Sequence, residues 1–312
     1  MDTALEKLSP DLLLSGLRED LEKNLRVKLA DRPDRFLIER AVAGGKRLRP
    51  LLLLTVFKAL NGVEYQKALD VAVALELAHS ASLVHDDIID LDKTRRGVQS
   101  LWYQIGMGKA VLQGHRIINM AFDIALNIGV EIARIFIDAW DRASKGILDE
   151  VLNKAALTDR IYMMMIREKT ASLFEAAAHA GAVLAGADEG TVALMRRYGL
   201  EVGTAYQLAD DLVEIYVKKK RGGLMYVSQE VRDRFLHILI ASKTGSLRNV
   251  FRAVAPVTPD EDFLKRQMVE RLRSAVRIAR ELKAAQTPYK ELLQHLPMYF
   301  VKQMISEAGR QV

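Results

Sequence analysis

The sequence predicts an all-α protein, and three observations carry that prediction. Apolar residues recur at helical spacing over long stretches. Ala, Leu, Glu, Lys and Arg are plentiful, whereas there are only seven prolines and aromatics make up 6% of the chain. Runs of alternating β-branched residues, the mark of half-buried strands, are scarce. Half of the 312 residues are hydrophobic and no Pro-, Gly- or Ser-rich linker divides them, so a single helical domain over residues 1–312 is expected.

Taken in order, the N-terminal stretch Met1 to Arg26 mixes charges at helical spacing and lacks the apolar run of a secretory signal. No uncharged apolar run approaches the ~18 residues of a membrane span, and cysteine is absent. A soluble cytoplasmic protein is the expectation. The formal charge of +6 raises nucleic acid as a partner, but its distribution argues otherwise. The cations fall in short clusters beside glycines, at Gly44–Pro50, Arg95-Arg96-Gly97 and Lys218–Gly223, with a further pair at Lys169-Thr170. A nucleic-acid groove would add exposed aromatics or a reading motif, and neither is evident. Glycine lets the backbone approach an anion closely and Arg holds it with paired donors, so compact phosphates are the better match.

Two acidic segments share one spacing: His85-Asp86-Asp87-Ile88-Ile89-Asp90, and Ala209-Asp210-Asp211-Leu212-Val213-Glu214. On a helix turning about 100° per residue, positions i, i+1 and i+4 fall on one side, so each segment presents three carboxylates together. Val84, Ile88 and Leu91 back the first, and Leu208, Leu212 and Ile215 back the second. Two such helices are expected to pack by their backs and aim six carboxylates into a shared space. Either triplet alone reads as a solvated face; their recurrence reads as a site. Gathered carboxylates repel and are costly to desolvate without cations. Magnesium, which takes oxygen ligands and binds through a few carboxylates plus substrate phosphates, is the natural ion. His79 lies seven residues before Asp86 and Gln207 three before Asp210, each on the face of its carboxylates.

Gly44-Gly45-Lys46-Arg47-Leu48-Arg49-Pro50, Leu77 to Asp90, Arg95-Arg96-Gly97, Lys169 to Phe174, and Tyr206 to Asp211 occur in an order and at spacings that resemble the motifs of the trans-isoprenyl diphosphate synthases, over roughly residues 40 to 215. The resemblance implies an isoprenoid-synthase-type helical bundle around a central cavity, usually homodimeric, that condenses isopentenyl diphosphate with an allylic prenyl diphosphate. Carried over by position, it implies Asp86, Asp87, Asp90, Asp210, Asp211 and Glu214 as magnesium ligands, directly or through water. It implies Lys46, Arg49, His79 and Arg96 as the holders of isopentenyl diphosphate. Arg95, Lys169, Thr170 and Gln207 would hold the allylic diphosphate, with Lys219 or Lys220 as a further phosphate contact. Of these, Asp86, Asp87, Asp90, Lys169, Asp210 and Asp211 would act on the departing diphosphate. Small residues below the first aspartates, Ser82 and Ala81 with Ala78 and Ala74, imply a product of more than fifteen carbons, unless Met120 or Phe122 caps the cavity.

The chain also departs from that pattern. Glu214 stands where a third aspartate is usual, and Val217-Lys218-Lys219-Lys220-Arg221-Gly222-Gly223 replaces the usual Gly-Lys and Gly-Asp pairs. Gln99 and Trp102 stand where Pro and His are common, and Gly146-Ile147 where Gly-Gln is common. Alongside an active synthase, two alternatives therefore follow: a weakly active or inactive partner subunit of a heteromeric synthase, and a class I terpene cyclase-like enzyme. Further on, Arg232 to Thr244, Glu261 to Ala285 and Leu292 to Ala308 read as amphipathic helices.

Overall fold

Helix follows helix around one large apolar core in the computed structural model, which describes residues 9–152, 158–220 and 261–310. Ser9 opens α1 (Pro10–Leu29): its hydroxyl accepts from the Leu12 N–H and Pro10 takes the first helical position, where its missing donor costs nothing. Leu14, Leu17, Leu21 and Leu25 then repeat at helical spacing and are all buried. After α2 (Arg35–Val42) comes α3 (Leu48–Ala59), buried on nearly every side; Leu51 to Leu54 are fully enclosed.

The central element is α4 (Tyr65–Ile89). Its apolar residues run all around the helix, and it packs against α1, α2, α3, α6 and α9. It is long and apolar enough to cross a membrane, yet 72% of that window is buried inside the fold, as suits a core helix. A short hairpin follows, β1 (Thr94–Arg95) paired antiparallel with β2 (Val98–Gln99). Its two turn residues, Arg96 and Gly97, both have positive φ, 53° and 78°, as a two-residue turn between twisted strands requires. The all-α expectation thus holds apart from this one hairpin among the described residues.

The chain continues through α5 (Leu101–Ile105), α6 (Met107–Ile128), α7 (Val130–Leu152) and α8 (Asp159–Ile166). A single π-turn (Arg167–Ala171) joins α8 to α9 (Ser172–Leu184). The long α10 (Glu189–Lys220) packs on α9, and α11 (Glu261–Glu281) and α12 (Pro288–Arg310) close against it. The helices expected near Glu261–Ala285 and Leu292–Ala308 are α11 and α12. The helix expected at 232–244 and residues 221–223 of the basic segment lie outside the described residues, as do the side chains of Glu214, Lys218, Lys219 and Lys220.

Candidate active site

Four separated parts of the sequence meet at the start of α3. The loop Ala43–Arg47 is shaped by Gly44, at φ 67°, and by Arg47, itself left-handed at φ 58°. A side chain at Gly45 would displace the buried Arg47–Glu76 pair: its Cβ would lie 2.3 Å from Arg47 Nη1 and 2.8 Å from Glu76 Oε1. Arg47 is buried, and its Nη1 donates to the Val42 carbonyl at 2.7 Å and to Glu76 at 2.7 Å, while its Nε donates to Glu22 at 2.8 Å. One arginine therefore ties the loop to α1 and to α4.

On that frame Lys46 reaches to 6.0 Å from the Tyr206 ring, and its Nζ donates to the Gln303 carbonyl at 3.4 Å. Arg49, in the first turn of α3, is buried with its guanidinium 4.6 Å over the Phe174 ring and its Nη1 3.0 Å from His79 Nε2. Arg96 folds back from the hairpin and donates to the Ala43 carbonyl at 2.7 Å. Lys46, Arg49, His79 and Arg96 are thus gathered around one loop. Burial, together with the guanidinium groups of Arg49, Arg96, Arg95 and Arg47, pushes the His79 imidazole well below its ordinary pKa. A neutral ring that accepts from Arg49 at Nε2 carries its proton at Nδ1. Among the described residues that Nδ1 and the Arg49 Nε are buried without a hydrogen-bond partner, and two enclosed donors beside two further cations suit a bound anion.

Two turns beyond His79 along α4 come the first carboxylates. Asp86 is half-buried and lies within electrostatic reach of Arg49 and Arg95. Asp90 is exposed and ends the helix, its N–H donating to the Asp86 carbonyl at 2.8 Å. Asp87 is only 4% exposed and is engaged by Arg95, whose Nε donates to Oδ1 at 2.6 Å; a second Arg95 nitrogen pairs with the same carboxylate. Arg95, expected to hold substrate, therefore already has a partner within the fold.

The second carboxylates stand midway along α10. Gln207 Nε2 donates to Asp211 Oδ1 at 2.9 Å, and the Tyr162 hydroxyl of α8 donates to Oδ2 of the same group. The Thr170 hydroxyl donates to Gln207 Oε1 at 2.7 Å. A chain of hydrogen bonds thus runs from the π-turn to the acidic helix. Burial and the Asp211 and Asp210 carboxylates push the Tyr162 phenol up, so it keeps its proton and remains a donor. Asp210 is half-buried, and so is Lys169, in the middle of the π-turn.

The expected back-to-back packing of the two acidic helices is not what forms. Val84 and Ile88 pack with Leu101 and Ala110, whereas Leu208 and Leu212 pack with Tyr162, Ile166 and Leu264. Helices α3 and α9 carry the connection between α4 and α10. The reason is bulk: each apolar back faces a different neighbour because two more core helices have to be enclosed. Among the described residues, no three His, Asp or Glu groups converge closely enough to form a metal-binding cluster. The donors offered are carboxylate oxygens without thiol, and a pair of them one turn apart at Asp86 and Asp90 fits a hard ion completed by phosphate and water. Sequence reasoning missed Tyr162, Arg47 and Glu76. Tyr162 gives no local signal, being 49 residues from Asp211; Arg47 stood inside the basic cluster, but its buried partner could not be read there.

A family model described as Polyprenyl synthetase matches residues 35–225. Over 173 residues the chain is 36% identical to a geranylfarnesyl diphosphate synthase of Methanosarcina mazei, covering 55% of this chain and 58% of that one, so it spans less than two thirds of that relative. Over 246 residues it is 30% identical to a geranylgeranyl diphosphate synthase of Saccharolobus solfataricus, covering 75% and 73%. Among solved structures, a polyprenyl synthase from Caulobacter crescentus, complexed with calcium and isoprenyl diphosphate, superposes with a TM-score of 0.70 at 26% identity, covering 95% of this chain and 98% of that one.

Proposed function

The chain belongs to the polyprenyl synthetase family, and from that premise we propose that it is a trans-prenyltransferase condensing isopentenyl diphosphate with an allylic diphosphate to give a prenyl diphosphate of twenty carbons or more. The observation that carries the reading is the gathering of Lys46, Arg49, His79 and Arg96 around one loop, with buried donors unpartnered at Arg49 Nε and His79 Nδ1, beside the Asp86 face of α4. Such a site holds the diphosphate of isopentenyl diphosphate by charge and directed hydrogen bonds.

Asp86, Asp90 and Asp210 would hold magnesium, with Glu214 as a further carboxylate for it; when bound, that ion would supply positive charge against the departing diphosphate. Asp87 and Asp211 act one step back, fixing the acidic stretches of their helices through Arg95 and through Tyr162 and Gln207. Lys169 would neutralise the allylic diphosphate, and Thr170 with Gln207, linked by a hydrogen bond, would orient it. The allylic C–O bond breaks, the allylic carbon bonds to the double bond of isopentenyl diphosphate, and loss of a proton restores an allylic product. The reading carries a homodimer in the cytoplasm with it. Exposed Leu112, Leu126 and Ile137 on α6 and α7 support a surface that a second copy covers. Ala81 is fully buried in the core whereas Ser82 is half-buried, so Ser82 is the position from which product length is limited.

Product analysis of the purified chain tests this reading, with isopentenyl diphosphate, magnesium and dimethylallyl, geranyl or farnesyl diphosphate in turn. Extended prenyl diphosphates that vanish on chelation are expected. A folded protein that yields none overturns the reading in favour of a partner subunit, which the altered segment 217–223 would then explain.

A further inference from the structure

Lys169 and Thr170 sit in a π-turn, an irregularity in which one extra residue is forced into the helical ladder; the Ser172 N–H reaches back five residues to the Arg167 carbonyl. Such turns are unfavourable on their own and persist where neighbours impose them. Here the neighbour is α7. Arg142 Nε donates to Glu168 Oε2 at 2.7 Å, and its Nη1 donates to Glu175 Oε2 at 2.8 Å, so one guanidinium holds a carboxylate inside the turn and another just beyond it. Arg196 of α10 takes the other oxygen of Glu175 at 2.8 Å. One turn along α7 from Arg142 is Gly146. A Cβ there would lie 2.6 Å from the Lys169 backbone nitrogen, 3.0 Å from its Cα and 3.1 Å from the Glu168 carbonyl carbon. All three are backbone atoms that no side-chain rotation can move aside.

We propose that Arg142 and Gly146 are positioning residues for the allylic diphosphate: Gly146 admits the π-turn against α7, Arg142 clamps it through Glu168, and Lys169 and Thr170 are thereby aimed at the acidic face of α10. The inference deepens the prenyltransferase reading and rests on it. Arg142 grips Glu168 within the turn and Gly146 lies against the backbone of Lys169 and Glu168, so their effect travels through the backbone of the turn. Gly146 stands mid-helix in α7, where alanine is the better helix former. A Gly146→Ala change therefore harms the turn without harming the helix that carries it.

The experiment compares the wild type with Gly146→Ala, Arg142→Lys and, as a control, Gly16→Ala, whose Cβ would meet nothing within 4 Å. Michaelis constants are measured separately for each co-substrate, and binding of inorganic diphosphate with magnesium is measured by calorimetry. Gly146→Ala should raise the KM for the allylic diphosphate on the order of ten-fold and weaken diphosphate binding alike, while the KM for isopentenyl diphosphate stays within about two-fold. Arg142→Lys, which keeps the charge and loses the fork, should shift the same constants in part, and Gly16→Ala should match the wild type. Equal rises for both co-substrates, or no rise with the variants folded, overturn the positioning role. If Gly146→Ala does not fold, Arg142→Lys decides by the same split. A wild type that forms no prenyl product sinks the prenyltransferase reading instead, and the calorimetric comparison still decides whether the clamp shapes a diphosphate site.

Discussion

At the end of α4, Asp87 is secured by Arg95, eight positions further along the same stretch, whereas midway along α10 Asp211 is secured by Tyr162, 49 positions earlier and on another helix. The spacing of acids is the same in both segments, but the anchors differ in charge. A guanidinium cancels the carboxylate it holds; a phenol and an amide satisfy a carboxylate and leave its charge in place. The α4 end of the site is accordingly a balanced local unit, built by the turn Leu91–Lys93 and the hairpin that follows it. The geometry of the α10 end depends on α8 and the π-turn being docked. The comparison teaches that one motif can be made in two ways, by a folded-back segment or by assembly of distant helices.

The largest effects should come from the acids proposed to meet the ion. Asp86→Ala is expected to lower turnover roughly 10³-fold and Asp210→Ala roughly 10²-fold, measured as product formed at saturating magnesium. Equal, wild-type rates in both would remove the metal assignment and the asymmetry with it. Next, Arg95→Ala leaves Asp87 buried and without its cation, which should destabilise by about 2 kcal/mol, less than a fully enclosed pair because Arg95 is 35% exposed. Chemical denaturation reads this directly. Tyr162→Phe removes one hydrogen bond to a carboxylate that Gln207 still holds, so about 1 kcal/mol is expected. Were Tyr162→Phe the costlier of the two, the idea that a charged anchor carries more of the stability than a neutral one would fail.

A smaller effect concerns pH. His79 is held neutral by burial and by the guanidinium groups of Arg49, Arg96, Arg95 and Arg47. The unfolded chain takes up a proton at this ring near its ordinary pKa of about 6.5 and the native state does not, so stability is complete above that value and declines as the pH falls below it. His79→Gln, whose amide oxygen can still accept from Arg49, should flatten part of this acid decline in a series of melting curves. His85 and His179, also pushed down chiefly by burial, keep the remainder. An unchanged acid limb in the variant would mean that His79 is protonated in the folded protein.

These contrasts also explain what the sequence could and could not disclose. Helical periodicity marked α1, α4, α10, α11 and α12, because each buries a stripe or an entire surface of apolar residues whose spacing is visible in one dimension. The acidic faces were legible for the same reason. The partners of Asp87 and Asp211 were not: Arg95 lay within view but was assigned to substrate, and Tyr162 belongs to another helix. Packing of the two acidic helices by their backs was expected from their matching apolar residues, yet Val84 and Leu208 joined different clusters. Periodicity states that a face is buried; it does not say against what. The π-turn was equally hidden: Gly146 was visible as a departure from the family pattern, but neither its approach to the Lys169 backbone nor the reach of Arg142 to Glu168 has a signal in one dimension.

The buried Arg47 also bears on the order in which the protein gains its parts. Its guanidinium bridges Glu22 of α1 and Glu76 of α4 while its own backbone shapes the loop that presents Lys46. That loop therefore completes its form only after the first helix has docked, which makes the anion site a late acquisition of folding and an early casualty of fraying. In amide hydrogen exchange, protection around Lys46 and Arg49 should rise and fall with that of α1, so that a disturbance at the amino-terminal helix is felt as lost grip on a diphosphate.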